Sequence, residues 1–371
     1  MTHVIVEPNQ RRLRIEHDAR NVALSALWLR ERSPDEATLD AYTGQRLIEA
    51  AELPLDLAID TAKAEGDTLS LRFSDGHQGR FSIAALLNDA QDEAPRRLWS
   101  ASDAPRTDVD FDQACGDDAA LLDMLEALHR DGFVVVSNVP GREDGMQTLI
   151  DRVGPLRRTN WGGIADVKSV ANAYDLTMTQ RGLEPHTDNP YRDPIPGYIW
   201  LHCLTNAADG GDSTLADGFK AAELLRQRDP DAYACLTRVT PRFRYQDADT
   251  HLESEGPLIE LDSAGTPIRV RYSNRTENVP ALEPDELDAY YAARRAFYQL
   301  ITGDELTLNL KLDAGQMLIM DNYRLLHGRS AFQLAGGVRH MRQGYVDRDS
   351  TASRRRVLQK RRAHQGAGET A

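Results

Sequence analysis

Alternating polar and apolar residues dominate the first 95 positions of the chain. Residues 68–73 alternate strictly and run into Ser-Asp-Gly-His at 74–77, which is typical of a tight turn. Residues 4–6 and 13–15 are β-like as well. The pattern predicts a small, strand-rich N-terminal domain over residues 1–95.

The pattern changes after residue 95. Residues 96–118 contain charged residues, proline and serine with little periodicity, which predicts a linker. Apolar residues then recur at helical spacing over 118–130, and Gly132 is expected to end that helix. A second long helix is predicted over 284–302, where Ala, Tyr, Leu and Arg are frequent.

Short strands predominate in the remainder of the chain. The apolar run 133–136 predicts a buried strand, and further strands are predicted at 198–204, 268–272, 306–312, 316–321 and 340–346. This order of elements favours an α+β fold with a mostly β core over a doubly wound sheet.

Composition and charge narrow the classes of function. The chain has 371 residues, of which 41% are hydrophobic, enough for a packed core. The formal charge of 44 − 58 = −14 disfavours nucleic acid as a partner, because phosphate repels an acidic surface. The basic run 353–364 is expected to be a solvated helix end or tail. No apolar run is long enough to span a bilayer, so no membrane association is expected.

The cysteines indicate the redox setting. Cys115, Cys203 and Cys235 are too far apart in sequence to suggest a disulfide framework or a CxxC metal pair. A reduced, cytoplasmic setting is expected, also because the N-terminus lacks a basic region followed by an apolar stretch.

His186-Thr187-Asp188 is the sharpest local feature. On a strand, residues i and i+2 point to the same face, so an imidazole and a carboxylate would meet at one point. Alone, the triplet more often marks a surface turn. However, His327 follows the predicted strand 316–320 and precedes Gly328. Two histidines and one carboxylate leave three positions open on an octahedral ion, which is typical of non-haem Fe(II) oxygenases.

Arg339 lies 339 − 327 = 12 residues after His327. Its planar guanidinium can grip the far carboxylate of a dicarboxylate cosubstrate while the near end chelates iron. Alternatively, Arg339 belongs to a basic surface patch with Arg342 and Arg348. The spacing from His327 favours the cosubstrate role.

These features together resemble the 2-oxoglutarate dioxygenases that include taurine dioxygenase and γ-butyrobetaine hydroxylase. The butyrobetaine and trimethyllysine hydroxylases are the closer match, and the similarity covers nearly the whole chain. The residues that carry it, besides the four above, are 28–31 (Trp-Leu-Arg-Glu), 201–203 (Leu-His-Cys), 210–219 and 325–329 (Leu-Leu-His-Gly-Arg).

The resemblance implies a double-stranded β-helix, or jelly roll, with flanking helices over residues 115–371. It implies Fe(II) as cofactor with 2-oxoglutarate and O2 as cosubstrates, and a homo-oligomer. His202 aligns with a motif residue and is expected to be a hydrogen-bonded scaffold histidine. The implied ligands are His186, Asp188 and His327 for iron, and Arg339, Ser213 and Leu201 for 2-oxoglutarate.

The N-terminal domain departs from the family pattern. In butyrobetaine hydroxylases, three cysteines after the Trp-Leu-Arg motif and a later histidine bind a structural zinc. Residues 31–38 contain no cysteine here, and of these ligands only His77 remains. One histidine cannot form a closed zinc site, so no N-terminal zinc is expected. The domain is then a scaffold and oligomer interface.

The same branch of the family holds a trimethylammonium group among aromatic rings, whose faces attract a weakly hydrated cation. Trp161 and Tyr345 fall at cage positions, and Tyr174 and Tyr191 are further candidates. Another cage position is occupied by Ala165, so the cage is altered. Each of these aromatic residues could instead pack in the core.

The anionic end of the substrate is expected at Asn274 and Arg275. Asn274 lies where butyrobetaine hydroxylases bind the substrate carboxylate, and Arg275 adds the charge that a phosphonate dianion needs. Arg275 could instead pair with Glu277. The chain also resembles bacterial dioxygenases of 2-trimethylaminoethylphosphonate, so hydroxylation of that compound beside phosphorus is expected. The alternatives are γ-butyrobetaine hydroxylation to L-carnitine, a catalytically silent jelly-roll binding module, and a zinc hydrolase.

Overall fold

The computed structural model describes residues 2–17, 20–89, 95–168, 181–333 and 338–368. The chain forms two compact units, Met1–Pro95 and Arg96–Ala371. Tyr174, a predicted cage residue, lies outside the described residues. Among the described residues, no helix is both long and apolar enough to cross a membrane.

The first unit is built from two three-stranded antiparallel sheets, β1-β2-β3 and β4-β5-β6. The alternation over 68–73 buries Leu69, Leu71 and Phe73, as the sequence pattern predicts. The elements of this unit are β1 (Thr2–Val6), β2 (Arg12–His17), β3 (Arg20–Ser25), α1 (Ala26–Arg30), β4 (Ile59–Glu65), β5 (Thr68–Phe73), β6 (Gln78–Ser82) and α2 (Ile83–Asp89).

The second unit contains most of the strands and the longer helices. Its strands are β7 (Asp108–Asp110), β8 (Phe133–Ser137), β9 (Ala165–Lys168), β10 (Leu183–His186), β11 (Tyr198–Asn206), β12 (Asp209–Gly210), β13 (Ser213–Asp217), β14 (Arg242–Gln246), β15 (His251–Glu255), β16 (Ile259–Leu261), β17 (Pro267–Val270), β18 (Glu277–Asn278), β19 (Leu308–Leu310), β20 (Met317–Asp321), β21 (Leu325–Arg329), β22 (Phe332–Gln333) and β23 (Arg339–Val346). Its helices are α3 (Phe111–Gly116), α4 (Asp118–Asp131), α5 (Gln147–Val153), α6 (Gly218–Arg228), α7 (Pro230–Arg238), α8 (Pro284–Thr302) and α9 (Arg348–Gly368).

Two sheets of the second unit enclose a shared apolar core. One has the strand order β7-β8-β20-β11-β23-β9 and the other β10-β21-β13-β19. Phe133, Ile199 and Leu201 from the first sheet belong to the same buried cluster as Leu215 and Leu325 from the second. This is the predicted jelly roll with a mostly β core.

Strand β8 shows why the sequence contains the apolar run 133–136. Phe133 and Val135 belong to the cluster shared by the two sheets, whereas Val134 and Val136 belong to a second cluster that includes residues of α3, α4 and α5. Both faces of β8 are therefore buried, which removes the polar half of the usual alternation.

The predicted linker at 96–118 is wrong. Strand β7 pairs in parallel with β8, and α3 follows it directly. Trp99 is fully buried, and its indole Nε1 donates to the carbonyl oxygen of Asp131 at 2.8 Å. The segment is anchored by a few separate residues, so it has structure without periodicity.

The basic run near the C-terminus belongs to α9, which lies along α4. Arg361 contacts Asp118 at 2.9 Å and Arg362 contacts Asp123 at 3.2 Å. These ion pairs are exposed, so each contributes less than about 1 kcal/mol. The run is a solvated helix end, as expected, with acidic partners on a neighbouring helix.

Candidate active site

Two histidines and one aspartate converge between neighbouring strands. His186 in β10 and His327 in β21 are direct cross-strand partners, with ring centroids 4.3 Å apart. Asp188 follows the end of β10, and its Oδ1 lies 3.5 Å from Nε2 of His186 and 3.6 Å from Nε2 of His327. The three donor atoms lie within 4.8 Å of one another. The sequence suggested that His327 lies just beyond a strand, whereas the residue lies inside β21.

The protonation of these side chains suits a cation. Nδ1 of His186 is 2.9 Å from the carbonyl oxygen of Glu184, so Nδ1 carries the proton and Nε2 keeps its lone pair. Burial lowers the pKa of His327 to about 3, so its imidazole is neutral. Burial opposes ionisation of Asp188, but its interactions with His327, His186 and Tyr345 prevail and lower its pKa.

The backbone of Asp188 is held by Asn322, which is almost fully buried. The amide Oδ1 of Asn322 accepts from the Asp188 N–H at 2.7 Å, and its Nδ2 donates to the Asp188 carbonyl oxygen at 3.0 Å. Next to it, the Thr187 N–H donates to the carbonyl oxygen of Tyr272 at 2.8 Å. The position of Asp188 is therefore set by main-chain hydrogen bonds as well as by its side chain.

The second carboxylate oxygen of Asp188 has two donors from β23. The Tyr345 hydroxyl donates to Oδ2 at 2.8 Å, and Nε2 of Gln343 donates to the same oxygen at 2.7 Å. Tyr345 also lines the cavity. The sequence predicted it as a residue of the aromatic cage. Gln343 was not predicted, although it lies on the same face of the strand as Arg339.

A cavity of about 1030 Å³ opens at the three donor atoms. It brings together most of the residues that the sequence singled out. These are Trp161, His186, Asp188, Tyr191, Leu201, Ser213, Arg275, His327, Arg339 and Tyr345.

Aromatic rings form one part of the cavity wall. Tyr245, which the sequence did not single out, makes an edge contact with Trp161 and stacks on Tyr191, both at 5.2 Å between ring centroids. The guanidinium of Arg192 lies 5.4 Å from the centre of the Trp161 ring. Trp161 is therefore within the range of a cation–π contact with a guanidinium. Tyr245 comes from β14, and no local sequence signal links that strand to the site.

Buried arginines form another part of the wall. Arg339 in β23 is 4% exposed, and Arg329 in β21 is 7% exposed. Burial, followed by the charge of Arg339, lowers the pKa of Arg329 to about 10, so Arg329 stays charged at neutral pH. Ser213 pairs with Arg329 across β13 and β21. A dicarboxylate would find positive charge and hydrogen-bond donors here.

The two residues predicted for the anionic end differ in position. Arg275 lines the cavity. Both residues are exposed, but Asn274 does not line the cavity, and its Oδ1 accepts from Arg294 at 3.2 Å. Glu277 was suggested as an alternative ion-pair partner of Arg275. It accepts from the Tyr290 hydroxyl at 2.6 Å and from Arg294 at 3.0 Å.

Two further histidines were discussed from the sequence. His202 is fully buried, and burial lowers its pKa to about 4, so it is a neutral scaffold residue. The expected hydrogen bonds of its ring nitrogens are not found within the described ranges. In the first unit, Nε2 of His77 lies 2.8 Å from Asp35 and 3.0 Å from Ser33. The absence of an N-terminal zinc stays a prediction.

The jelly roll, the His-Asp-His group and the charged cavity define the class of non-haem iron oxygenases that use 2-oxoglutarate. Residues 90–345 match the taurine catabolism dioxygenase TauD, TfdA family, and residues 4–87 match the γ-butyrobetaine hydroxylase-like N-terminal family. The chain belongs to the TauD, TfdA family and is an Fe(II)- and 2-oxoglutarate-dependent dioxygenase. The predicted family, enzyme class and cofactors are confirmed.

Similar proteins extend over nearly the whole chain. The γ-butyrobetaine dioxygenase of Pseudomonas sp. (strain AK-1) is 33% identical over 355 residues, which cover 92% of each chain. The mitochondrial trimethyllysine dioxygenase of Rattus norvegicus is 28% identical over 361 residues, 93% of this chain and 85% of that one. A Burkholderia xenovorans structure, provisionally described as an alpha-ketoglutarate-dependent taurine dioxygenase, has a TM-score of 0.52 at 15% identity. It covers 67% of this chain and 92% of its own, and it supports the fold alone.

Proposed function

We propose that His186, Asp188 and His327 hold the iron. The convergence of their donor atoms and the neutral state of His327 support this assignment. All three lie in the second unit, so we assign catalysis to that unit. When bound, iron and its cosubstrate supply the oxidising chemistry, while the chain binds and orients the reactants.

We propose that Arg339 binds the distal carboxylate of 2-oxoglutarate, with Ser213 and Leu201 as lesser contacts. Arg339 is buried in the wall of the same cavity as the iron ligands. A guanidinium that is held there can neutralise the far end of a dicarboxylate by two parallel hydrogen bonds. Because the site is buried, these bonds are stronger than they would be in water.

We propose that the substrate is a small trimethylammonium compound with an anionic group, and that it is γ-butyrobetaine. The observation that carries this proposal is the aromatic cluster of Trp161, Tyr191 and Tyr245 in the wall of the iron cavity. A quaternary ammonium is weakly hydrated and binds to such faces. The full-length similarity to γ-butyrobetaine dioxygenases favours this substrate over the phosphonate.

The test compares γ-butyrobetaine with 5,5-dimethylhexanoate, the isostere in which carbon replaces the charged nitrogen. Succinate formed from 2-oxoglutarate is measured with Fe(II) and O2 present. We expect kcat/KM to be about 30-fold lower for the isostere, because a desolvated cation–π contact contributes about 2 kcal/mol. Equal values for both compounds would contradict a cation-binding cage. No succinate with either would contradict the substrate class.

Two variants, assayed with γ-butyrobetaine and with the isostere, test where the cation binds. Trp161→Ala is expected to reduce the advantage of γ-butyrobetaine over the isostere. Trp28→Ala is the matched control, because Trp28 also lies beneath an arginine, Arg32, at 4.3 Å but belongs to the first unit. The control should keep the preference for the betaine.

2-Trimethylaminoethylphosphonate, hydroxylated at the carbon next to phosphorus, is the second candidate substrate. The presence of Arg275 in the cavity wall favours it, because a phosphonate dianion needs more positive charge than a carboxylate. The same cage would bind its trimethylammonium group. The two candidates therefore differ in the anionic end alone.

A further inference from the structure

The two carboxylate oxygens of Asp188 have different surroundings. Oδ1 faces Nε2 of both histidines, at 3.5 and 3.6 Å. Oδ2 accepts hydrogen bonds from Tyr345 at 2.8 Å and from Gln343 at 2.7 Å. The carboxylate is thus directed toward the proposed iron position through one oxygen, while the other is occupied by hydrogen bonds.

We infer that Tyr345 and Gln343 are positioning residues that hold Asp188 as a one-oxygen ligand of the iron. The inference rests on the proposed iron site and is independent of the substrate. An octahedral ion with two histidines and one carboxylate oxygen has three positions left for the cosubstrates. A carboxylate that bound through both oxygens would leave two. Occupying Oδ2 with hydrogen bonds opposes that second contact.

The three side chains form a closed arrangement of hydrogen bonds. One N–H of the Gln343 amide donates to Asp188, and Nε2 is also 2.7 Å from the Tyr345 hydroxyl oxygen, which accepts. That hydroxyl uses its own proton on Asp188. An amide nitrogen has two protons and a hydroxyl has one, so every bond in the triangle has a donor.

Strand β23 delivers both donors to the same carboxylate. Gln343 and Tyr345 are two residues apart and so share a face of the strand. Their cross-strand partners on β11 are Leu201 and Ile199, which belong to the buried cluster between the sheets. Since Asn322 fixes the backbone of Asp188, the aspartate is held on both its main-chain and side-chain sides.

The experiment measures metal binding without any betaine. Metal-free wild type, Tyr345→Phe and Gln343→Leu are titrated with Co(II) against a chromophoric chelator, and the visible spectrum of bound Co(II) is recorded. We expect each variant to bind Co(II) about tenfold more weakly, the usual effect of removing a partner of a metal ligand. We also expect the Co(II) spectrum to change, because the second carboxylate oxygen can then approach the metal.

Two control variants define what the result means. Tyr290→Phe is the matched substitution, because Tyr290 is also buried and donates to a carboxylate, Glu277, at 2.6 Å. It should leave Co(II) binding unchanged. Asp188→Ala should lose Co(II) binding. If Asp188→Ala binds Co(II) normally, the proposed iron site itself is wrong.

The positioning role is overturned if Asp188→Ala loses Co(II) while Tyr345→Phe and Gln343→Leu keep wild-type affinity and spectrum. If Tyr345 only contributed its ring to an aromatic cage, Tyr345→Phe would keep wild-type Co(II) affinity and spectrum, because the ring is retained. Thermal unfolding of the metal-free proteins checks their integrity. If Tyr345→Phe does not fold, Gln343→Leu decides, since Gln343 is only half-buried.

Discussion

Arg275 is the single side chain that we propose distinguishes the two candidate substrates. It lines the cavity. Burial is the main cause of the lowered pKa of His327, and the positive charge of Arg275 lowers that pKa further. A carboxylate has one negative charge to share with this guanidinium, whereas a phosphonate dianion has two. Removal of the Arg275 side chain should therefore lower kcat/KM unequally for the two substrates.

We expect Arg275→Ala to lower kcat/KM about tenfold for 2-trimethylaminoethylphosphonate and less than about threefold for γ-butyrobetaine. A charge-assisted hydrogen bond contributes about 1.5–3 kcal/mol, and because Arg275 is exposed we place the loss at the low end. Succinate release measures both substrates. Arg238→Ala, which removes an exposed arginine paired with Glu286, is the control. Equal losses on both substrates would contradict the assignment of Arg275 to the anionic end.

Residue type and spacing in the sequence predicted that His186, Asp188 and His327 would converge, and their donor atoms lie within 4.8 Å of one another. His186 and Asp188 are two residues apart, and His327 precedes a glycine. Tyr245 could not be found in this way, because tertiary packing alone brings β14 to the cavity. Gln343 could have been found, since strand alternation from Arg339 places it on the cavity side.

At the level of elements, β21 shows why a glycine follows His327. A Cβ on Gly328 would lie 2.5 Å from the carbonyl oxygen of Leu183 and 2.7 Å from the hydroxyl of Thr214. These atoms belong to β10 and β13, which flank β21 on either side. The strands approach too closely for any side chain at this position.

We expect Gly328→Ala to destabilise the protein by about 1–3 kcal/mol, the usual cost of overpacking. It should also weaken Co(II) binding, because the strand that moves carries His327. Urea unfolding of metal-free protein and Co(II) titration measure the two effects. Gly141→Ala is the control, since a Cβ there would meet nothing within 4 Å. Unchanged stability and affinity in Gly328→Ala would show that the strands can separate without cost.

Periodicity determined which elements could be predicted. Helices α4 and α8 were predicted to within one residue, because their apolar positions recur and Gly132 or proline marks an end. Residues 96–118 were misjudged because β7 has three residues and is held by pairing with β8. A strand that short has too few positions to show alternation.

Over the whole molecule, acid should weaken folding, because many carboxylates are held ionised in both units. Partial burial opposes ionisation of Asp166, but hydrogen bonds from His340 and Arg342, with nearby positive charges, lower its pKa to about 2. A pKa below the ordinary value near 3.9 means that the folded state binds protons less readily than the unfolded chain. The group therefore contributes stability above about pH 4, which is lost as pH falls toward 2. Other carboxyl groups whose pKa is lowered are Asp35, Asp67, Asp110, Asp118 and Glu253.

We expect Asp166→Asn to be less stable than the wild type at pH 7 and the difference to shrink between pH 4 and pH 2. Asparagine does not titrate, so the free energy of unfolding of the variant lacks the part of the pH dependence that comes from Asp166. Urea unfolding at pH 7, 5, 4 and 3 gives the free energies. A difference that stays constant with pH would mean that the ion pairs of Asp166 contribute nothing to folding.

The pairing of His186 with His327 across two adjacent strands has a consequence for how the enzyme matures. The strand pairing of β10 with β21 brings these two imidazoles side by side. If they hold the iron as proposed, the folded jelly roll presents both donors from rigid strands rather than from a loop. We therefore expect the folded chain to take up ferrous iron directly.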